Sequence, residues 1–362
     1  MDYTFRFPVI RGKQANREYY VAMVPMKMIP RLFPADDEFI APEYRAQRRL
    51  NESRVPVISR YVLENRDSYV FSALAASIDG AHGFIPDEGN PDAGVLEVSM
   101  DARFLINDGQ HRKAAILAAL NEDPTLEDET ISIVFYADEG LRRSQQIFTD
   151  LNKNAVKTSN SISELYDSRD SLAVANRNVI MSNEFLNAYT DKEKDILGKY
   201  SSNMFTLHTF YVANRYVLGT RKVKGKDEEF LVNYWQSVSA HIVPWQDLIG
   251  RRINKKELRE NYIATQGVVI QALGKLGNYF YVNRDCELDE YLKNLERVNW
   301  KRDNPKWYLR AIRSNGRIIT NQKAVQLITN YLKEQTGIPL NSEEQKAERQ
   351  LQFEIKEQRR TR

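Results

Sequence analysis

The chain of 362 residues has one cysteine, Cys286, and only four histidines. A single cysteine excludes an internal disulfide and fits a reducing cytosol, and so few thiols and imidazoles cannot build a zinc finger. No apolar run approaches the roughly 20 residues that a membrane helix needs. Residues 1–6 lack the basic start and apolar segment of a signal peptide. We therefore expect a cytoplasmic protein with no membrane partner.

An excess of one charge is also missing, since the net charge is only +3. The apolar and charged fractions, 42% and 28%, are those of an ordinary globular protein, and the length predicts two domains. The charge is unevenly distributed, however. Between positions 301 and 333 there are eight lysines or arginines and one acid, Asp303. Such a local excess is typical of a phosphate-binding face.

The first third of the chain alternates strand and turn signals. Apolar or alternating runs predict strands at 3–10, 19–24, 69–78, 95–100, 104–106 and 130–136. A hairpin loop is expected at 12–16, a helix at 43–65 interrupted at Pro56, a polar loop at 86–94 and a helix at 138–152. A βαβ unit with a right-handed crossover is predicted from three consecutive elements: strand 104–106, a helix at 113–120 and strand 130–136.

Five consecutive polar or small residues lie where strand 104–106 gives way to the helix: Asp108, Gly109, Gln110, His111 and Arg112. We expect Asp108 to cap the helix. The free amides of a helix start also favour an anion. Helix starts are routinely polar, but His111 and Arg112 lie where the helix dipole disfavours cations, so they need a carboxylate such as Asp108 or a bound phosphate. The pattern favours a functional site over a plain cap.

This pentapeptide resembles the signature of the DGQHR-domain proteins, and among them the chain is most similar to the DndB family of bacterial DNA phosphorothioation systems. Residues 146–148 (Gln-Ile-Phe), leading into 151–153 (Leu-Asn-Lys), match a second element of that family. The family is similar to the ParB and sulfiredoxin-like fold, in which a Gly-x-x-Arg turn contacts nucleotide or DNA phosphates. The resemblance implies phosphate or nucleotide ligands, namely Asp108, Gly109, Gln110, His111, Arg112 and Asn152. It also implies double-stranded promoter DNA and other DNA-modification proteins as partners.

Beyond position 161 strand signals fade. Helical periodicity is present at 162–180, 184–197, 227–239, 256–276 and 288–298. We expect an α+β protein with a mixed-sheet, ParB/sulfiredoxin-like domain at 1–161 and a mainly helical domain with a basic face at 162–340. A charged helix or tail should follow at 341–362, beginning with the capping sequence Asn-Ser-Glu-Glu.

The basic window supplies the candidate DNA contacts. Trp300 and Trp307 are expected in the core. Arg310 and Arg313 lie at helical spacing, and Arg317 follows a glycine. The predicted DNA-binding residues are Lys301, Arg302, Arg310, Arg313 and Arg317. Asn321 should cap a helix at 323–332, and turn plus helix permits a helix-turn-helix. A second basic loop, 215–226, is interpreted as a solvated loop.

Two functions remain. The first, which the family resemblance implies, is a DNA-binding negative transcriptional regulator of a phosphorothioate-modification operon, responsive to a nucleotide and able to form homo-oligomers. The alternative is a Mg-dependent nucleotide hydrolase or DNA-nicking enzyme whose cofactor would be a nucleoside triphosphate with Mg²⁺. Asp108 would hold the metal or orient water, His111 would be the acid or base and Arg112 would stabilise phosphate charge. A single carboxylate is too few to hold the metals of a two-metal nuclease, so we rank DNA binding above catalysis.

Overall fold

The computed structural model describes residues 3–34, 50–137, 141–153, 158–220 and 222–360, with the backbone alone at 141–142, 152–153 and 359–360. The chain divides into two compact units, Met1–Val156 and Lys157–Arg362. The first unit carries a seven-stranded sheet and the second is mainly helical. The predicted combination of a mixed sheet with a helical C-terminal region is confirmed.

Nine strands occur in the described residues. They are β1 (Thr4–Gln14), β2 (Arg17–Pro25), β3 (Leu74–Asp79), β4 (His82–Asp87), β5 (Asn90–Ser99), β6 (Arg103–Asp108), β7 (Thr130–Ala137), β8 (Thr190–Asp191) and β9 (Phe205–Thr206). The order in the large sheet is β4-β5-β1-β2-β7-β3-β6. Within this sheet β3 and β7 are parallel, and all other neighbouring strands are antiparallel. The pair β8 and β9 belongs to the second unit.

The α-helices are numbered in chain order. They are α1 (Ile29–Leu32), α2 (Val55–Glu64), α3 (Gln110–Glu122), α4 (Leu141–Lys153), α5 (Asn160–Tyr166), α6 (Ser171–Ser182), α7 (Glu184–Tyr189), α8 (Leu207–Leu218), α9 (Gly225–His241), α10 (Val243–Ile249), α11 (Lys255–Asn261), α12 (Gly267–Val282), α13 (Leu288–Leu292), α14 (Gln322–Thr336) and α15 (Ser342–Arg360). Within the described ranges, none of these helices is long and apolar enough to cross a lipid bilayer.

The core of the first unit lies on one face of the large sheet. Phe7, Phe104 and Phe135 come from β1, β6 and β7, and the Phe135 ring centroid is 5.3 Å from that of Phe7 and 5.5 Å from that of Phe104. Alternate residues of a strand point to the same face, which is why the odd-numbered members of β7 and the even-numbered members of β6 are buried together. Ile116 and Ala119 of α3 complete this core.

Several predicted loops are shorter than expected. The loop at 12–16 is a two-residue turn in which Ala15 and Asn16 have positive φ angles, 47° and 60°, as a type I′ hairpin requires. The segment 86–94 is not a loop, because most of it extends β4 and β5 as a hairpin that pairs with β1.

Pro56 does not interrupt a helix: it lies in the first turn of α2, where its missing N–H costs nothing. Positions 43–49 lie outside the described residues.

The predicted βαβ unit is wrong. Strand β3 is antiparallel to β6 and parallel to β7, so β6 and β7 run in opposite directions with β3 between them. A strand, a helix and a strand in sequence form a crossover only when the two strands are parallel. The sequence of the segment carries no sign that an earlier strand occupies the position between them.

The second unit is built around its tryptophans. Trp235, Trp245, Trp300 and Trp307 are all almost completely buried, which confirms the structural role expected for the last two. Helix α12 packs against α8 and α14 in this core. The helices predicted at 162–180 and 256–276 are each broken into two, and the helix predicted at 184–197 ends at Tyr189. Helices α8 and α10 were not predicted.

The C-terminal segment is a packed helix rather than a mobile tail. The backbone N–H of Asn341 donates to Glu344 Oε2 and the N–H of Glu344 donates to Asn341 Oδ1, both at 2.9 Å, so the predicted capping pattern is confirmed. Leu351 is 1% exposed, and Lys333 of α14 forms an ion pair with Glu344 at 2.6 Å. Helix α15 is therefore part of the second unit.

Candidate functional site

The turn formed by residues 108–112, here called the signature turn, depends on the absence of a side chain at Gly109. Its φ is +105°, and an added Cβ would lie 2.4 Å from Cδ2 of Leu74, a fully buried residue of β3. Gly109 itself is the N-cap of α3, and no side chain in the described part of the chain caps this helix. The prediction that Asp108 is the cap is wrong, because Asp108 is still the last residue of β6.

Asp108 instead neutralises Arg112. Its Oδ2 accepts from Arg112 Nη2 at 2.5 Å. Arg112 Nη1 donates to the carbonyl oxygens of Ser72 and Ala73, at 2.7 and 2.5 Å, and to the Ser72 hydroxyl at 2.7 Å. The Arg112 side chain is 17% exposed. The Asp108 carboxylate therefore compensates the positive charge of Arg112 at this helix start. Arg112 in turn fastens the segment before β3 to the signature turn.

His111 is also engaged within the first unit. Its Nε2 accepts from the backbone N–H of Asn51 at 3.1 Å, so this nitrogen carries no proton in the observed arrangement. The Asn51 side chain in turn accepts from the N–H of Ser53 at the start of a 3₁₀ turn that leads into α2. His111 therefore links α3 to the start of α2, and a role as general acid or base would require it to release this contact.

An anion at the signature turn would contact main-chain N–H groups. The first amides of a helix have no partner inside the helix, and the first turn of α3 contains no acid. Gln110 and His111 are half-buried at this point. Backbone N–H groups and the positive end of the helix dipole favour a phosphate oxygen there. Among the described residues no group of three or more His, Cys, Asp or Glu side chains is placed to hold a metal ion.

Asn107 is a site residue that sequence reasoning missed. It is fully buried, its amide donates to the carbonyl oxygen and hydroxyl of Ser144 at 2.9 and 2.7 Å, and its Oδ1 accepts from Ser77 Oγ at 3.0 Å. It thereby joins β6 to β3 and α4. The sequence signal that could have found it is an asparagine inside an apolar strand, because a buried amide needs hydrogen-bond partners. Asn152 lies in the last turn of α4, and its side chain is outside the described residues.

The structure removes Arg310 from the candidate DNA contacts. Arg310 is 4% exposed, and its Nη1 and Nη2 donate to the two carboxylate oxygens of Glu348 at 2.7 and 2.6 Å. Nη1 also donates to the carbonyl oxygen of Leu327. A buried guanidinium that is already neutralised by a carboxylate cannot reach a phosphate in solution. Spacing to Arg313 predicted a shared helical face, but no α-helix forms between α13 and α14.

Arg313 and Arg317 face each other across a tight turn, here called the arginine turn (residues 313–317). The N–H of Arg313 donates to the carbonyl of Arg317 at 2.8 Å, and the N–H of Gly316, with φ of +78°, donates to the carbonyl of Arg313 at 2.9 Å. Both arginines are exposed, and neither side chain forms a hydrogen bond or ion pair with any described residue. Nη2 of Arg302 donates to the Gly316 carbonyl at 3.3 Å, and Lys301 is exposed nearby in sequence.

A helix-turn-helix is excluded at this position. Asn321 does cap α14, as predicted, because its Oδ1 accepts from the Ala324 N–H at 2.9 Å. Every residue from Ala324 to Leu332 except Gln326 is buried, however, and α12 and α15 pack against α14. A recognition helix needs a free face to enter a groove. In the loop 215–226, Arg221 lies outside the described residues, and Lys222, Lys224 and Lys226 are exposed.

No curated protein and no solved structure was found to match this chain. A family model does match it, over residues 7–339, and its description is DndB, DNA-sulfur modification-associated. The match extends over almost all of both units, from β1 to the end of α14. The chain therefore belongs to the DndB family of DNA-sulfur modification-associated proteins.

Proposed function

We propose that this protein is a DNA-binding negative transcriptional regulator of a bacterial phosphorothioate-modification operon. Membership of a DNA-sulfur modification family supports the system in which it acts. The single observation that carries DNA binding is the arginine turn, in which Arg313 and Arg317 are both exposed and, among the described residues, have no acidic partner. Such a regulator acts in the cytoplasm, where its operon is transcribed.

The arginine turn would contact the phosphate backbone. Arginines that neutralise phosphates release condensed counterions, and this term supplies most of the affinity that is independent of base sequence. The main-chain hydrogen bonds of the turn, with Arg302 bound to the Gly316 carbonyl, fix the backbone from which Arg313 and Arg317 extend. Lys301 and Arg302 extend the same charge. We therefore propose Lys301, Arg302, Arg313 and Arg317 as DNA contacts.

The nucleotide-responsive part of the proposal concerns the signature turn. We propose that the amides of Gln110 and His111 bind a phosphate of a nucleotide or of DNA, with Asn152 retained as a ligand from the family likeness. Arg112 and Asp108 then hold the turn in shape, since their contacts are made within the first unit. The contacts of Arg112 and His111 give no support to the hydrolase or nicking alternative, so binding is the function proposed.

A mobility-shift titration with the operon's own promoter duplex tests the proposal. The variant carrying both Arg313→Ala and Arg317→Ala should bind less tightly than the wild type. The control carries Arg297→Ala and Arg349→Ala, which remove two exposed arginines and the same net charge elsewhere in the second unit. Unchanged affinity in the first variant, or an equal loss in the control, would contradict a DNA contact at the arginine turn.

A further inference from the structure

A cavity of about 180 Å³ opens in the first unit where the β1–β2 turn, the end of β7 and α4 meet. Tyr19 and Tyr136 line it from the sheet, and Ile147 and Leu151 line it from α4. Tyr19 and Tyr136 alternate with the buried Tyr20 and Phe135, so they lie on the face of the sheet opposite the phenylalanine core. None of the residues of the signature turn lines this cavity.

The floor of the cavity is an aromatic surface. Tyr19 and Tyr136 are directly opposed in the β2–β7 register, with ring centroids 6.2 Å apart and ring planes at 34°. Gly12 opposes Tyr19 on β1, and a Cβ added there would lie 2.4 Å from the Tyr19 ring. The Tyr19 ring therefore occupies the space above Gly12 that any other residue would fill. The two tyrosines therefore cover parts of three adjacent strands, because position 12 of β1 has no side chain.

Cationic groups border this surface. Arg17 and Arg143 both line the cavity, together with Glu18 and Asp150. Aromatic rings beside guanidinium groups are the combination that proteins use to hold an unpaired nucleotide, because bases stack on the rings while arginines meet the phosphates.

The volume of the cavity limits the size of the ligand that it can hold. Pockets for drug-sized ligands begin at roughly 300 Å³, whereas this cavity is about 180 Å³. A single planar base fits such a space, and a whole nucleoside triphosphate does not. A base inside a duplex is covered by its stacked neighbours and cannot reach the tyrosines without leaving the helix.

We propose that this cavity is a nucleobase site, in which Tyr19 and Tyr136 stack one unpaired base while Arg17 and Arg143 contact its phosphate. The base with its phosphate is supplied either by a single DNA strand or by a free mononucleotide. The inference rests on the proposed function and adds a site for an unpaired base that is separate from the signature turn.

Fluorescence anisotropy of a labelled oligothymidine strand on the full-length protein tests the site. Tyr19→Ala and Tyr136→Ala should each weaken binding by about tenfold, the usual loss for one stacked base, whereas Tyr19→Phe and Tyr136→Phe should stay within about twofold of the wild type. Tyr3→Ala removes a tyrosine that is 78% exposed in the same unit and should change nothing. Wild-type binding by the alanine variants, or an equal loss in the phenylalanine variants, would overturn stacking.

A second measurement needs no variant. A strand carrying one 2-aminopurine should lose fluorescence on binding the wild type, since stacking on tyrosine quenches the base; an unchanged signal in the bound strand overturns the proposal. Competition with thymidine monophosphate then separates the sources: displacement assigns the site to free nucleotides, and no displacement assigns it to a strand. Binding of neither probe overturns the proposal.

Failure of this inference is distinguishable from failure of the proposed function. Affinity for the promoter duplex depends on Arg313 and Arg317, and the tyrosine variants should retain it. Loss of single-strand binding with duplex binding intact therefore reports on the cavity alone.

Discussion

Arg310 and Glu348 form a two-pronged ion pair, at 2.7 and 2.6 Å, that joins the segment before α14 to the C-terminal helix α15. Both side chains are largely buried, at 4% and 14% exposure. Lys323 adds an ion pair with Glu354 at 2.8 Å, from α14 to α15. A cation that sequence spacing assigned to DNA thus holds the C-terminal helix in place.

Arg310→Ala should reduce the free energy of unfolding by about 3–5 kcal/mol, because it leaves the largely buried Glu348 carboxylate without its cationic partner. Urea denaturation at neutral pH measures this. Arg313→Ala, which removes an exposed arginine, should stay within about 0.5 kcal/mol of the wild type. A stable Arg310→Ala protein that had lost promoter affinity would instead indicate a direct DNA contact.

The salt dependence of promoter binding should report the number of phosphates that the arginine turn contacts. Each neutralised phosphate contributes about 0.9 to the slope of log K against log salt concentration. The variant with Arg313→Ala and Arg317→Ala should therefore lower the slope by about 1.8, as measured by titrations across a range of salt concentrations. The control with Arg297→Ala and Arg349→Ala should keep the wild-type slope.

The sequence predicts features of this protein that depend on nearby residues. The strands around 104–106 and 130–136, the caps Asn321 and Asn341 and the burial of Trp300 and Trp307 all follow from local propensity or apolar character. The insertion of β3 between β6 and β7 is a long-range event that no local pattern contains. The pairing of Arg310 with a carboxylate 38 positions away is equally invisible to spacing.

The same distinction between local and long-range features applies to the candidate site. The strand, the glycine and the helix of the signature turn were predictable, as was the need of Arg112 for a compensating carboxylate. The contacts of Arg112 with Ser72 and Ala73, and of Asn107 with Ser144, join segments about 40 positions apart. Only the folded chain shows that these side chains serve the shape of the turn.

Gly109→Ala should be more destabilising than Gly316→Ala. Both glycines have positive φ, which costs an alanine about 1–2 kcal/mol. At Gly316 no atom lies within 4 Å of an added Cβ, whereas at Gly109 the Cβ would also collide with the buried Leu74. Overpacking adds about 1–3 kcal/mol. Chemical denaturation of the two variants measures the difference, and equal losses would contradict the collision.

His208 and Glu164 give the second unit a pH-dependent contact. His208 Nδ1–H donates to Glu164 Oε1 at 2.6 Å, joining α8 to α5. The hydrogen bond to Glu164 raises the pKa of His208 above its usual 6.5, and burial raises the pKa of the Glu164 carboxyl above its usual 4.5. A histidine whose folded pKa is raised stabilises the protein below its unfolded pKa, and this contribution is lost as pH rises through the folded pKa.

Stability should therefore fall from just below pH 6.5 to mildly alkaline pH more steeply in the wild type than in the His208→Gln variant. Thermal or urea unfolding at the two pH values measures the difference. Glu164→Gln should remove the same part of the pH dependence, because the partner that raises the pKa of His208 is gone. A His208→Gln profile parallel to that of the wild type would contradict the linkage.

The position of β7 has a consequence for synthesis on the ribosome. Without β7 the sheet consists of two separate pieces, β4-β5-β1-β2 and β3-β6, because β7 alone is hydrogen-bonded to both β2 and β3. The nascent first unit cannot close until residue 137 has left the exit tunnel, and until then two half-sheets present unpaired edges. A chain truncated before Thr130 should accordingly expose those edges and aggregate, even though it retains six of the seven strands of the large sheet.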